Sequence, residues 1–126
     1  MAKLQSAIIV DIHNTLIIND NQLNNKLINL INAIGKDYYI ILITASYYTS
    51  KADLLKSSEA MQSILKIADE CYYNKKANLT DDAEIKLDIY NSKIKDNYDV
   101  CFVIDNNKDV LKAFRNIGID TLRFKY

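Results

Sequence analysis

The sequence predicts a three-layer α/β domain built on a five-stranded, mostly parallel sheet. Three observations predict it. Short, continuous apolar runs recur along the chain, as expected of strands buried on both faces. Between them, apolar residues fall at helical spacing. The two patterns alternate regularly, which is the signature of a parallel sheet covered by helices on both sides.

The elements follow in order. Ser6 to Ile12 (SAIIVDI) is the first buried run, and HNTLIINDNQ after it is mixed and turn-rich. Leu23, Leu27, Leu30, Ile31 and Ile34 mark a helix with Gly35 as its C-cap. Tyr38 to Thr44 (YYIILIT) is the second strand. After ASYYTS, a helix is expected from about Lys51 to Glu70, carrying Leu54, Leu55, Met61, Ile64, Leu65 and Ala68 on its period. Cys71 to Tyr73 is a short third strand. KKANLTDD is polar, and Thr80 or Asp81 caps a helix that runs to about Lys95, with Ile85, Ile89 and Ile94 facing inward. Val100 to Ile104 (VCFVI) is the fourth strand, ending at Asp105. Val110, Leu111 and Phe114 mark the last helix, Gly118 lies past its end, and Asp120 to Lys125 is the final strand. The resulting β-α-β-α-β-α-β-α-β order is that of a Rossmann-like sandwich.

Composition bounds the function. The chain has 126 residues, 49% of them apolar and 25% charged, so residues 1–126 read as one globular domain with a single core. Lys plus Arg and Asp plus Glu balance at 16 each, so no global field recruits nucleic acid or acidic lipid. Any polynucleotide binding would need a local basic patch. Cys71 and Cys101 sit in separate strand-like runs and read as buried free thiols of a reducing compartment. No run is apolar long enough to span a bilayer, and MAKLQSAIIVDI reads as a first strand, not a signal peptide. The expected location is cytoplasmic. Proline is absent, and Ile, Asn, Lys and Tyr are heavily used. That bias suggests an AT-rich bacterial or phage genome, with the host cytoplasm as the location in the second case.

Ligands of such sheets bind beyond the carboxyl ends of the strands, near the switch in strand order. Strand one ends in Asp11, with His13, Asn14 and Thr15 in the turn; strand two ends in Thr44, then Ala45 and Ser46. Strand four ends in Asp105, with Asn106 and Asp109 behind it, and Lys86 lies early in the preceding helix. Singly, each has a plain structural reading: a turn Asp, a capping Thr, a solvated Lys, acidic residues at a helix N-terminus. Together they suit phosphoryl transfer. A carboxylate can attack phosphorus, a hard cation can be held by carboxylates and a carbonyl, hydroxyl and amide groups can hold phosphate oxygens, and a lysine can offset their charge.

DIHNTL after a buried strand resembles the first motif, Asp-x-Asp-x-Thr, of the haloacid dehalogenase (HAD) phosphatase superfamily. IILITAS resembles the second motif, Lys86 the third, and VIDNNKD the fourth. The second half, TDDAEIKLDIYNSKI through YDVCFVIDNN to VLKAFRNIGIDTLRF, is similar to the phosphatase domain of phage polynucleotide kinase–phosphatases. The sequence departs from that group where TASYYTS stands in place of an arginine after the second motif, and where Asn106 and Asn107 follow Asp105. No Gly-rich P-loop is present.

The resemblance implies a HAD core without a cap domain and a magnesium-dependent phosphatase working through an aspartyl-phosphate. It implies Asp11 as nucleophile and metal ligand, the His13 backbone carbonyl and Asp105 as further ligands, and Asn106 or Asp109 holding the metal, its waters or Lys86. Thr44, the Ala45 amide, Ser46 and Asn14 would bind phosphate, with Lys86 opposite. The second Asp of the first motif, which protonates the leaving group and activates water, is His13 here. Two readings stay open. His13 is itself the acid and base, since imidazole titrates near neutrality with a pKa of about 6.5; or the domain binds a phosphorylated ligand or a protein partner without turnover. A receiver domain is discounted, because strand three ends near Tyr73 and Asn74 without an aspartate.

The two places where such enzymes carry caps, about Asn14 to Gln22 and Asn74 to Thr80, are short here. The expected site is open. It suits a large substrate such as a nucleic-acid end or a phosphoprotein, or completion by another subunit; the resemblance implies a nucleic-acid 3′-phosphatase or a nucleotidase. Tyr47, Tyr48, Tyr72 and Tyr73 lie near strand ends, where they would pack or stack on a base.

Overall fold

A computed structural model describes residues 3–19 and 21–124. β1 (Gln5–Asp11) leads into a hairpin of β2 (Ile17–Ile18) and β3 (Gln22–Leu23), then α1 (Asn25–Ile34) and β4 (Tyr39–Tyr47). Two short helices follow, α2 (Lys51–Lys56) and α3 (Glu59–Leu65), then β5 (Glu70–Asn74) and α4 (Asp82–Ile89). A π-helical turn (Tyr90–Ile94) leads to β6 (Tyr98–Asp105), α5 (Lys108–Asn116) and β7 (Asp120–Arg123).

The five long strands form one sheet in the order β5-β4-β1-β6-β7, and each neighbouring pair is parallel. Alternation along β1 sorts its side chains between two cores. Ile8 and Val10 pack with Leu27 and Ile31 of α1 and with Leu54, Met61 and Ile64 of α2 and α3. Ala7 and Ile9 pack with Ile94 and with Val110, Leu111 and Phe114 of α5 on the other face. The chain is thus the three-layer sandwich expected, with helices on both faces of a parallel sheet. Among the described residues no cap domain is present, and no helix is long and apolar enough to cross a membrane.

Register sets the site. Asp11 pairs with Ile43, and Val10 pairs with Ile104, so Asp11 and Asp105 end neighbouring strands at one level and Thr44 lies one residue beyond. The strand order reverses about β1, so this pair flanks the switch point.

Several boundaries differ from expectation. The helix expected from about Lys51 to Glu70 breaks at Ser57 and Ser58, because the Ser58 side chain accepts from Met61 N and starts a new helix. The helix expected to reach Lys95 gives way at Tyr90 to the π-turn, where Lys95 N–H donates to Tyr90 O. The turn-rich segment after β1 contains the β2–β3 hairpin. β4 extends to Tyr47, β6 starts at Tyr98, and β7 ends at Arg123, with Lys125 outside the described residues. Asp81, not Thr80, caps α4. Both cysteines are free but only half-buried in their strands.

Candidate functional site

The turn after β1 is wound tightly around one carbonyl. Leu16 N–H and Ile17 N–H both donate to Ile12 O, and Asn14 N–H donates to Ile17 O at 2.8 Å. This winding puts Asn14 at φ 63, a left-handed conformation that Asn tolerates better than most residues. It also turns Thr15 inward, where its hydroxyl donates to Asp11 Oδ2 at 2.8 Å. The buried Asn24 holds the turn from outside: its Nδ2 donates to Thr15 O at 2.8 Å while its Oδ1 caps α1 at Leu27 N.

Lys86 projects from α4 to the sheet. Its Nζ donates to Asp11 Oδ1 at 2.6 Å and to Asp105 Oδ2 at 2.7 Å, and all three side chains are buried. The other oxygen of Asp105 accepts from Asn107 N–H at 2.9 Å. Burial is the largest influence on Lys86 and pulls its pKa down, but the charges and hydrogen bonds of Asp11 and Asp105 outweigh it and leave the ammonium above the ordinary lysine value. Burial pushes the Asp105 carboxyl up; Lys86 opposes that shift and Asp11 adds to it. Lysine stays cationic here because two carboxylates share it.

A polar cleft of about 290 Å³ opens over this cluster. It brings together Asp11, His13, Asn14, Thr44, Ala45, Ser46, Lys86, Asp105 and Asn106 from four separate chain segments. Asp109 does not join them: it is exposed in the first turn of α5, and its N–H donates to Asn107 Oδ1. Thr44 is buried, and its hydroxyl accepts from Ser46 N–H at 3.1 Å. The half-buried His13 ring faces Tyr48, with Nε2 3.4 Å from the Tyr48 hydroxyl.

Two further residues reach the site. Asp82 lines the cleft from the first turn of α4. Its signal in the sequence was the four-residue spacing to Lys86, which puts both on one helix face. Thr15 was visible in the turn but not as the partner of Asp11.

The donors suit a hard divalent cation. Asp11, Asp105, the Asn106 amide and the His13 carbonyl offer oxygen, and a carboxylate oxygen that accepts one hydrogen bond can also ligate a cation. Two carboxylates against one ammonium leave the buried set at a net charge of −1, which a dication would reverse. Among the described residues no three His, Cys, Asp or Glu side chains converge as a metal site. A metal here would keep carbonyl, amide and water oxygens, as magnesium does.

The parallel sandwich and the aspartates at its switch point are those of a HAD-type domain. Residues 5–126 match the family model described as the polynucleotide kinase PNKP phosphatase domain, and the chain belongs to that family. Two solved structures share the fold. One chain in the structure of the Pnkp1/Rnl/Hen1 complex superposes with a TM-score of 0.82 at 18% identity, covering 100% of this chain and 48% of that one. A chain in the structure of the Pnkp1/Rnl/Hen1 RNA repair complex gives 0.80 at 19% identity, covering 98% and 43%. This chain therefore spans less than half the length of either. Among curated proteins no relative matches by sequence.

Proposed function

We propose that the chain is a magnesium-dependent phosphomonoester hydrolase that acts through an aspartyl-phosphate on Asp11, with the 3′-phosphate of a nucleic-acid end as its preferred substrate. The observation that carries this reading is the holding of Asp11: one oxygen fixed by Thr15, the other by Lys86, at a switch point shared with Asp105. Such a carboxylate is aimed and partly charge-compensated, as a nucleophile toward phosphorus should be. An Asp11 oxygen forms the bond to phosphorus, the bond to the leaving oxygen breaks, and His13 supplies that oxygen with a proton. In the second step His13 takes a proton from water, which attacks the acyl-phosphate and frees Asp11. Thr44, Ala45, Ser46 and Asn14 line the position for the phosphate oxygens, and Lys86 compensates their charge. Magnesium, held by Asp11, Asp105, the His13 carbonyl and Asn106, would neutralise the phosphate further. The nucleic-acid preference is drawn from the family and from the RNA repair complex named for the second structural neighbour.

The test is phosphate release from an aryl phosphate, mononucleotides, sugar phosphates and 3′-phosphorylated oligonucleotides. Wild type should turn over with magnesium, and Asp11→Asn or chelation should abolish the activity. Folded protein that releases no phosphate from any ester overturns the reading. The histidine in place of the usual acid–base aspartate favours one alternative, a module that binds a phosphorylated ligand without turnover; tight binding with no release would select it.

A further inference from the structure

The cleft is poorly suited to attract a polyanion by itself. Its lining carries three carboxylates, Asp11, Asp82 and Asp105, against one ammonium, Lys86. Formal charge over the whole chain is zero. Attraction for a long anionic substrate must come from a local concentration of positive charge elsewhere.

A second, larger groove of about 620 Å³ supplies it. It lies along β5, the edge strand of the sheet, and along α4 and the π-helical turn that follows it. Lys51, Lys75, Lys76 and Lys93 line it, and Asp88 is its one acid, already engaged by Lys76 at 3.7 Å. The groove therefore carries three positive charges in excess. Tyr72 and Tyr73, on opposite faces of the edge strand, also line it, with the apolar Leu79, Ile85 and Ile89. Cations alternating with aromatic and apolar surface are what a single strand of nucleic acid uses, the phosphates pairing with lysine while base faces stack or pack. An acidic peptide would use the lysines but leave the tyrosines idle.

The groove is connected to the cleft. α4 serves both, with Asp82 and Lys86 toward the cleft and Ile85, Asp88 and Ile89 toward the groove. On the sheet side, Lys75 Nζ lies 5.5 Å from the Tyr73 ring centre, and Tyr73 meets Tyr48 edge to face at 6.0 Å. Tyr48 in turn reaches His13. The segment that follows β5 opens the groove at the carboxyl-end rim where the cleft lies.

We infer that this lysine–tyrosine groove along β5 and α4 is the binding track for a single-stranded polynucleotide whose terminus enters the Asp11 cleft. The placing of the terminus rests on the phosphatase reading above; the track itself does not. Lysines at a sheet edge also deter strand-to-strand aggregation, and the experiment separates the two roles.

The probe is a short fluorescein-labelled oligodeoxythymidylate ending in a 3′-hydroxyl, so that no turnover is involved. Anisotropy should show binding that weakens with salt, with a log–log slope on the order of −2 to −3 for three to four neutralised phosphates. Reversing Lys75, Lys76 and Lys93 together (K75E, K76E, K93E) should weaken binding about tenfold or more and flatten the slope. All three are exposed, and a K75Q, K76Q, K93Q set gives the intermediate case without new repulsion. Hydrolysis of an aryl phosphate should be unchanged in both sets. Unaltered oligonucleotide affinity in the reversed variant overturns the inference. So does displacement of the probe by polyglutamate as readily as by unlabelled oligonucleotide. Binding by wild type and loss in the variant uphold the track even where no ester is hydrolysed, an outcome that removes the phosphatase reading alone. Ester hydrolysis without oligonucleotide binding removes the track alone.

Discussion

Thr15 donates its hydroxyl to Asp11 Oδ2 at 2.8 Å, and no solvent reaches Thr15. The bond fixes the carboxylate plane and leaves Oδ1 for Lys86. Thr15→Val keeps the shape and removes the donor. We expect a loss of about 1.5–3 kcal/mol in stability, the range for a hydrogen bond to a charged group. On the proposed mechanism turnover should fall by about a hundredfold, more in kcat than in KM, because the Asp11 carboxylate is no longer aimed. Thr15→Ser should restore most of both. Urea titration and steady-state kinetics on one preparation read the two effects.

Lys86→Met leaves two buried carboxylates facing each other. Removing one partner from a buried ionic set costs about 3–5 kcal/mol, so the variant should be strongly destabilised at pH 7. Without the ammonium, burial and Asp11 both push Asp105 upward. A carboxyl with a raised folded pKa gains stability on protonation, so acidification should return part of the variant's loss. In wild type the raised Lys86 pKa has the opposite reading: its contribution is complete below the ordinary lysine value and disappears as pH rises through the folded one. Thermal melts across pH compare the two directly.

In the proposed mechanism His13 is the acid and base. His13→Ala should lower kcat by about 10²–10⁴-fold, the usual worth of a general acid–base group. His13→Asp should retain activity and move the acid limb of the pH–rate profile downward, since a carboxyl titrates below an imidazole. An unchanged profile in His13→Asp would show that position 13 carries no proton.

Asn24 ties the turn after β1 to α1 with two hydrogen bonds, one to Thr15 O and one at the helix cap. Asn24→Ala removes both and leaves a buried carbonyl unmatched. We expect a cost of about 1–3 kcal/mol and a smaller fall in activity than for Thr15→Val, because Thr15 keeps its own bond to Asp11. Denaturant midpoints of the single and double variants measure the coupling.

The fold was legible because its strands are continuous apolar runs and its helices carry a 3.6-residue period. Both are local signals. Strand ends then marked Asp11, Thr44 and Asp105, and the parallel register brought them level. Boundaries that depend on one side chain were less visible. Ser58 divides a helix whose apolar period continues across the break, and the π-turn at Tyr90 has no compositional marker. Asp109 shows the limit of proximity in sequence: it lies four residues from Asp105, but α5 begins between them and carries it to the outer face. Asp82 shows the reverse, a residue at the end of the polar KKANLTDD run that the helix turns toward the cleft. The basic groove was hidden by a neutral total charge, since its four lysines come from three places in the chain and meet only across the sheet edge.

The ammonium bridge spans much of the chain: Lys86 is 75 residues from Asp11 and 19 from Asp105. β1 is the central strand, and its partner on the β6 side is made late in the chain order. A folding intermediate with only β1, β4 and β5 in place would hold Asp11 and Thr44 with neither the counter-charge nor the second carboxylate. Assembly of the clamp is therefore a long-range event, slowed by the closure of a large loop. On the proposed function, recovery of phosphate release on refolding should trail the return of helical signal, so that activity would report the last folding step.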